Sequence, residues 1–236
     1  MKITRSKKME RKILDKIKEY LSHAPRSLDK WHVSDLLYPR KSVFQRLDPQ
    51  PMTDLSALYF TAGRAHHGIL EACLGPKKWE NGKRVDAGEY EKDGIYFSPD
   101  LRMPYPWEIK TSRKEYDPLP QNELRDYEAY LKQLSQYQAC MGDDRGGLLV
   151  FFLNMKERGV KWKKPAIRFY KVLMTKAERV AKLKWMKGMA AAMTAAQKKK
   201  NVKDLPLCPS WLCRECPWYK KCKPWLMDEA RKGYQK

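Results

Sequence analysis

An uninterrupted apolar run lies past the middle of the chain and reads Gly147-Leu148-Leu149-Val150-Phe151-Phe152-Leu153. A run of this length without polar alternation predicts a strand that is covered on both faces, in the centre of a sheet with helices around it. Apolar spacing and turn residues predict further elements. We expect an N-terminal helix ending near residue 24, helices at about 33–44, 58–74, 123–140 and 176–200, and strands at about 89–91, 94–101, 106–112 and 167–173. The fold class that follows is α/β (α+β), with a mixed central β-sheet flanked by helices.

The charge of the chain points to a polyanionic partner. Its 236 residues include 49 Lys and Arg against 28 Asp and Glu, a formal net charge of +21. Such an excess favours nucleic acid, because phosphates that are neutralised release their counterions. A well-solvated surface or an anionic membrane surface would also fit the charge alone. No apolar run approaches the length of a membrane span, and the N-terminus lacks a secretion signal. We therefore expect no membrane segment and a cytoplasmic protein, or a viral protein acting there.

A short β-hairpin carries the polar groups best suited to chemistry. Asp100 ends one apolar strand, and Glu108 and Lys110 lie on the returning strand. Side chains on a strand alternate faces, so Glu108 and Lys110 point the same way and Ile109 points into the core. Two carboxylates and one ammonium at one end of a hairpin suit Mg²⁺ or Mn²⁺ beside a phosphodiester. Taken alone, the motif also fits an ordinary solvated hairpin.

Two predicted helices carry further polar candidates. His67 lies on the helix 58–74, where it is either a metal ligand or an ordinary surface or core histidine. Gln133 and Tyr137 lie four residues apart on the helix 123–140 and therefore share a face. This pair would hydrogen-bond a phosphate or orient Lys110, or it would be a half-buried stretch of helix without a function. Gln136 is one position off that stripe and is a weaker candidate.

Four cysteines are concentrated near the C-terminus. They are Cys208, Cys213, Cys216 and Cys222. In a chain expected in the cytoplasm this density favours metal binding over disulfides. Four thiolates suit either tetrahedral Zn²⁺ or an iron–sulfur cluster. The unequal gaps and the surrounding aromatic residues favour a [4Fe–4S] cluster, with Zn²⁺ as the alternative. The other two cysteines, Cys73 and Cys140, are expected to be small buried hydrophobic residues.

The order of these motifs resembles a known family. The chain carries, in sequence, Gly63-x3-His67, Asp100, Glu108-x-Lys110, Gln133-x3-Tyr137 and Cys213-x2-Cys216-x5-Cys222. This series resembles the RecB-like branch of the PD-(D/E)XK nucleases, and within it the iron–sulfur exonucleases of the CRISPR-adaptation and AddB type and their stand-alone viral relatives. The resemblance covers about residues 33–222. It implies a restriction-endonuclease-like nuclease core with an N-terminal helical region over 1–205, and a cluster-binding segment over 206–236.

The resemblance also implies catalytic roles. The divalent metal would be bound by three side chains and one main-chain carbonyl: His67, Asp100, Glu108 and the carbonyl of Ile109. Lys110 would position the nucleophilic water and stabilise the transition state. Gln133 and Tyr137 would help to hold the DNA strand and the lysine.

One position departs from the family pattern. The family takes its first cluster cysteine from a Cys-Pro-Arg motif, and this chain has Tyr38 before Pro39 and Arg40, in a segment that we expect to form an exposed turn. Cys208 is the natural substitute, and it would join Cys213, Cys216 and Cys222 as a cluster ligand. The cluster could otherwise have three ligands or be replaced by zinc. With every thiol in the C-terminal segment, no ligand would tie that segment to the N-terminal part of the chain.

The function that follows is a metal-dependent DNA nuclease, specifically an exonuclease on single-stranded DNA ends. A competing hypothesis is a non-catalytic nucleic-acid-binding module with a structural metal site, because charge and aromatic content fit that equally well. A second is a subunit of a DNA repair or spacer-acquisition complex. A homo-oligomer is also compatible with the sequence.

Overall fold

The computed structural model describes residues 7–22, 30–74, 79–80, 83–84, 89–102, 104–115, 127–156, 162–213 and 216–225. Its helices are α1 (Lys7–Ser22), a 3₁₀ helix (Val33–Leu37), α2 (Pro39–Leu47), α3 (Asp54–Leu74), α4 (Glu128–Met141), α5 (Lys176–Lys198) and the short α6 (Ser210–Cys213). Its strands are β1 (Trp31–His32), β2 (Trp79–Glu80), β3 (Lys83–Arg84), β4 (Tyr90–Lys92), β5 (Ile95–Phe97), β6 (Leu101–Arg102), β7 (Pro106–Ser112), β8 (Arg145–Met155) and β9 (Lys164–Leu173). No helix in these ranges is both long enough and apolar enough to cross a bilayer.

The main sheet is mixed and has the strand order β6-β7-β8-β9. β7 and β8 are parallel, and the outer strands β6 and β9 each run antiparallel to their neighbours. A parallel pair needs a long crossover, and α4 lies in the connection from β7 to β8. A smaller sheet has the order β1-β5-β4. The predicted fold class, a mixed β-sheet flanked by helices, is confirmed, in an arrangement that fits a restriction-endonuclease-like core.

β8 is buried on both faces, as its apolar run predicts. Leu148 and Phe152 face the main core, where they meet side chains from α4 and α5. Leu149 faces the other way and joins Leu101 and Ile109 in a second cluster that α3 covers. The strand is longer than predicted, beginning at Arg145 and ending at Met155. The sheet is therefore the middle layer between α3 on one side and α4 with α5 on the other.

Two consecutive glycines let neighbouring side chains approach β8 closely. A Cβ on Gly147 would lie 2.8 Å from the Phe169 ring on β9 and 3.0 Å from the Trp107 ring on β7. A Cβ on Gly146 would lie 2.9 Å from the Gln138 side chain on α4. The 2.8 and 2.9 Å distances are shorter than packed carbon atoms allow, so a side chain at either position would force its neighbours to move.

The segment after β1 differs from the prediction of one short helix with an exposed turn at residues 39–41. It forms the 3₁₀ helix and then α2, which begins at Pro39 because proline suits the first helical position. The expected exposure was wrong, since Arg40 is 1% exposed. Its guanidinium Nη2 donates to the carbonyls of Leu205 and of Lys203, the latter at 2.8 Å. These carbonyls satisfy Nη2, and the Leu205 carbonyl also accepts from Nε, whereas Nη1 is buried without a hydrogen-bond acceptor among the described residues.

The other helices follow the sequence closely. α5 begins where predicted because Thr175 and Glu178 form a capping box at its first turn. α3 begins four residues before the predicted start, and the hydroxyl of Thr53 caps it by accepting from the Ser56 amide at 3.1 Å. The predicted start of the helix at 123–140 lies outside the described residues, which show α4 from Glu128.

Candidate active site and metal centre

The β6–β7 hairpin fixes Asp100 through main-chain contacts. The Asp100 amide donates to the Trp107 carbonyl at 3.1 Å, and its carboxylate Oδ2 accepts from the Ile109 amide at 2.6 Å. The second oxygen, Oδ1, lies 3.1 Å from His67 Nε2 on α3. His67 and Asp100 therefore meet in space although they lie on different elements, α3 and the β6–β7 hairpin. A carboxylate held in this way presents a defined direction to a ligand.

Glu108 and Lys110 project from the same face of β7, and Lys110 Nζ contacts Glu108 Oε1. Glu108 is 0% exposed, and among the described residues neither of its oxygens accepts a hydrogen bond beyond that ion pair. Burial raises the pKa of Glu108 to about 8; the charge of Asp100 adds to the effect, and the Lys110 ammonium opposes it. A buried carboxyl with so few donors is suited to a bound cation.

Lys110 remains an ammonium at neutral pH. Its own burial lowers its pKa, but the acids beside it, Asp100 and Glu108 when ionised, outweigh that effect, so the pKa lies above the ordinary value. Its Nζ lies 5.7 Å from the centroid of the Tyr130 ring on α4. The cation is therefore held between two acids and an aromatic face, where it can meet a developing negative charge.

The donor set on this hairpin fits a hard divalent cation. Carboxylate and carbonyl oxygens from Asp100, Glu108 and Ile109 are the ligands that Mg²⁺ and Mn²⁺ prefer, and His67 adds a nitrogen. In the described ranges, however, no three His, Cys, Asp or Glu side chains are gathered tightly enough to form a metal site. The four residues therefore supply suitable ligands near one another without closing around a common point.

Gln133 and Tyr137 contact each other on α4. Gln133 Nε2 donates to the Tyr137 hydroxyl at 2.7 Å. Tyr137 is 4% exposed and its ring lies 6.5 Å from that of Phe97, so it belongs to the core and cannot stack on a base. Gln133 is only half-buried. The tyrosine thus fixes the glutamine, and the glutamine is the member of the pair that can meet a ligand.

The four clustered cysteines line one small cavity of about 20 Å³, here called the cysteine cavity. All six cysteines of the chain are free thiols; Cys140 is buried as predicted, whereas the prediction for Cys73 was wrong, since it is exposed. Burial raises the pKa of Cys208 and of Cys213. A volume of this size holds about one water-sized sphere. As they stand, the four thiols share this cavity but are not gathered tightly enough to hold a metal ion.

Arg40 ties α2 to the segment that leads into the cysteine cavity. Besides its bonds to the carbonyls of Leu205 and Lys203, its guanidinium lies beside Cys222 in the cavity wall. Burial raises the pKa of the Cys222 thiol, and the positive charge of Arg40 opposes that rise. Arg40 thus follows the position where the family has its first cysteine and contacts the cavity without being a ligand.

Aromatic stacking makes a second tie between α2 and this segment. The rings of Phe44 and Trp218 are stacked with centroids 6.2 Å apart. Trp218 Nε1 donates to the Asp48 carbonyl at 3.0 Å, and Lys221 Nζ lies 2.6 Å from Asp48 Oδ2. The N-terminal part and the cysteine segment are therefore held together although no N-terminal thiol takes part. These contacts make the connection that no thiol ligand was expected to make.

A cleft of about 1240 Å³ lies between α4, α5 and residues 206–209, and it is here called the α4–α5 cleft. Tyr130 forms part of its wall and also faces Lys110, so the cleft adjoins the β6–β7 hairpin. Gln136 also lines the cleft, although its position on the helix made it a weaker candidate than Gln133 for contact with a ligand. The sequence pattern that could have predicted the cleft is the combination of a basic helix, α5, with a polar face on α4.

No protein-family model and no curated protein sequence matches the chain. Among solved structures, its fold resembles that of SSO0001, with a TM-score of 0.53 and 18% identity over 89% of this chain and 94% of that one. An alkaline exonuclease from Laribacter hongkongensis follows, with a TM-score of 0.46, 14% identity, and 79% and 95% of the two chains covered. A phage-related exonuclease from Haemophilus somnus 129PT has a TM-score of 0.48 and 10% identity, with 72% and 96% covered.

The likeness to SSO0001 shows a shared fold over most of both chains. Two proteins described as exonucleases are among the structures of more distant similarity. None of these likenesses confirms the iron–sulfur branch of the RecB-like nucleases, so that part of the resemblance stays a prediction.

Proposed function

We propose that this chain is a divalent-metal-dependent nuclease of restriction-endonuclease-like fold that hydrolyses DNA phosphodiesters, acting as an exonuclease on single-stranded ends. The observation that carries the proposal is the fully buried Glu108, paired with Lys110 and placed beside Asp100. Nucleic-acid binding alone does not require a buried acid and a lysine on one strand of a hairpin. The net charge of +21 supports DNA as the substrate.

The chain's own residues supply most of the proposed mechanism. Asp100, Glu108, His67 and the Ile109 carbonyl would hold Mg²⁺ or Mn²⁺, which when bound activates water and neutralises charge on the phosphate. The Lys110 ammonium orients the attacking water and stabilises negative charge that builds on the phosphate oxygens. The water oxygen attacks phosphorus and loses a proton to solvent, the bond to the leaving oxygen breaks, and the leaving oxygen takes up a proton from solvent. Gln133, fixed by Tyr137, holds the strand.

Digestion of end-labelled single-stranded DNA with Mn²⁺ tests this function. Asp100→Ala should abolish cleavage and leave DNA binding intact, because it removes a carboxylate from the hairpin and no positive charge. Asp144→Ala is the matched control, since Asp144 is an exposed acid outside the hairpin and should retain wild-type cleavage. Full activity in Asp100→Ala would overturn the catalytic assignment. Binding without cleavage in the wild-type protein would favour the non-catalytic binding module instead.

We also propose that Cys208, Cys213, Cys216 and Cys222 hold a structural metal centre, either [4Fe–4S] or Zn²⁺. Their shared cavity supports this, because four thiolates suit both centres. After anaerobic purification, broad visible absorbance would identify a cluster, and a colourless protein with one zinc would identify Zn²⁺. Cys208→Ser should lower the metal content, whereas Cys73→Ser, which changes an exposed thiol outside the cavity, should not. Equal metal content in all three proteins would contradict the proposal.

Three expectations from the sequence remain part of the proposal. They are a cytoplasmic place of action, a homo-oligomer, and membership of a repair or spacer-acquisition complex. Size-exclusion chromatography with light scattering checks the second, and co-purification from the native cell checks the third.

A further inference from the structure

We propose that the α4–α5 cleft is the path of the DNA single strand, holding unpaired nucleotides that lead to the hydrolytic hairpin. The inference rests on the proposed function and names the binding surface that serves it. The cleft exceeds the roughly 300–1,000 Å³ of sites that take one small ligand. It therefore has room for more than one nucleotide.

The cleft adjoins the proposed hydrolytic residues through Tyr130. The Tyr130 ring lies in its wall and 5.7 Å from Lys110 Nζ. Tyr38, at the N-terminus of α2, lines the same space. A strand that lies in the cleft can therefore place a phosphate at Lys110 without passing through the packed core.

Lysines line the cleft and favour a polyanion. Lys132 forms an ion pair with Glu128 at 2.6 Å, but Lys182 makes no ion pair within the described part of the chain. Burial lowers the pKa of Lys182, and the positive charge of Lys132 adds to that effect. A phosphate placed between the two lysines would relieve their repulsion. Lys114 adds a third positive charge, so lysines outnumber the two acids of the lining, Glu128 and Glu178.

A buried amide in the wall lacks a partner. Gln136 is 1% exposed, and its Oε1 accepts no hydrogen bond from the described residues. A buried acceptor without a donor is costly, and proteins rarely retain one unless a ligand or water completes it. A side-chain amide carries both donors and an acceptor, as the edges of unpaired bases do. A small opening of the wall would let the free acceptor of Gln136 meet the edge of a base.

An exposed aromatic ring completes the surface. Trp185 on α5 lines the cleft and is 43% exposed. An indole in this position offers a stacking face to any base, independent of sequence. Bases in a duplex have both faces stacked on their neighbours, so stacking on Trp185 requires a single strand.

Fluorescence anisotropy of labelled dT20, measured with the full chain in EDTA, tests the path. Trp185→Ala should weaken binding about 10-fold through loss of one stacked base. Lys182→Ala should reduce the slope of log K against log salt by about 0.7, the value for one phosphate contact on a single strand. Binding of a 20-bp duplex should change much less in both variants.

Two control variants match these changes outside the cleft. Lys184→Ala removes an exposed lysine from the same helix, and Trp162→Ala removes a tryptophan that is 71% exposed. Both should bind dT20 as the wild type does, and thermal unfolding should show that all four variants are folded. The proposal is overturned if Lys182→Ala and Trp185→Ala bind like wild type, or if the controls are weakened equally.

A second assay, of hydrolysis rather than binding, distinguishes failure of the strand path from failure of the nuclease proposal. Hydrolysis of bis(p-nitrophenyl) phosphate with Mn²⁺ needs the hairpin but is too small to need the cleft, so both cleft variants should retain it. Absence of that hydrolysis in every protein, with the binding differences intact, would overturn the hydrolytic function and leave the strand path standing. Loss of hydrolysis in the cleft variants alone would overturn the path, because the residues would then belong to the hydrolytic site.

Discussion

Replacing Glu108 by glutamine should stabilise the metal-free protein while it abolishes nuclease activity. Glu108 is fully buried, and burial together with the nearby Asp100 raises its pKa from 4.5 to about 8. At neutral pH the folded protein without metal therefore holds this carboxyl with its proton bound, whereas in the unfolded chain it is ionised. Glutamine has nearly the same shape as the protonated carboxyl and requires no proton.

The size of the effect follows from the pKa difference. One pKa unit corresponds to about 1.36 kcal/mol, so keeping this carboxyl protonated costs about 3 kcal/mol at pH 7 and about 1 kcal/mol at pH 5. Because the folded state binds the extra proton, wild-type stability falls as the pH rises from about 4.5 through about 8. Glu108→Gln should remove that loss, so its advantage should grow from pH 5 to pH 7.

Urea unfolding followed by tryptophan fluorescence, at pH 5, 6 and 7 in EDTA, measures the difference. Glu128→Gln is the matched control, since Glu128 is an exposed acid that should change the free energy of unfolding by less than about 0.5 kcal/mol at each pH. Mn²⁺ at about 100 times its dissociation constant should stabilise the wild type by about 2.7 kcal/mol and Glu108→Gln far less. A destabilised Glu108→Gln, or a difference that does not change with pH, would refute the reasoning.

Three further outcomes follow from the packing and the thiols. Arg40→Ala should lower the free energy of unfolding by about 2–3 kcal/mol in urea titrations, because the buried carbonyl of Leu205 loses its charged donor; an unchanged midpoint would contradict this. Gly147→Ala should cost about 1–3 kcal/mol in the same assay through overlap with the Phe169 ring; a stability equal to wild type would show that the ring moves freely. Three thiols of the cysteine cavity have raised pKa values, so protons compete with metal for them. Metal release to a chromogenic chelator should therefore increase as the pH falls from 8 to 6. Release that is independent of pH would exclude thiolate ligands.

Local sequence patterns predicted most of the secondary structure. The apolar run at 147–153 could only be a strand covered on both faces, and the structure places it as β8 between two layers of helices. The helix predicted from residue 176 begins there, where Thr175 and Glu178, three residues apart, form a capping box. The hairpin that brings Glu108 and Lys110 to one face follows in the same way from strand alternation.

Features that depend on distant contacts were not predictable. Arg40 is a charged residue beside a proline and fits a surface turn, yet carbonyls 163 and 165 residues away allow it to be buried. The complete burial of Glu108 needs helices on both sides of β7, whose packing has no local signature. Gln136 was ranked below Gln133 because helical spacing gives the face but not the cleft that forms against α5.

The contacts between α2 and the cysteine segment have a consequence for how the chain folds during synthesis. Trp218 donates to Asp48 across 170 residues, and Arg40 bonds Leu205 across 165. Nearly the whole chain must leave the ribosome before the apolar side of α2, including Phe44, can be covered. Contacts of such long sequence range form slowly. The docking of the cysteine segment is therefore expected to be the last step of folding, and chains that stall before it expose an apolar surface on which chaperones can act.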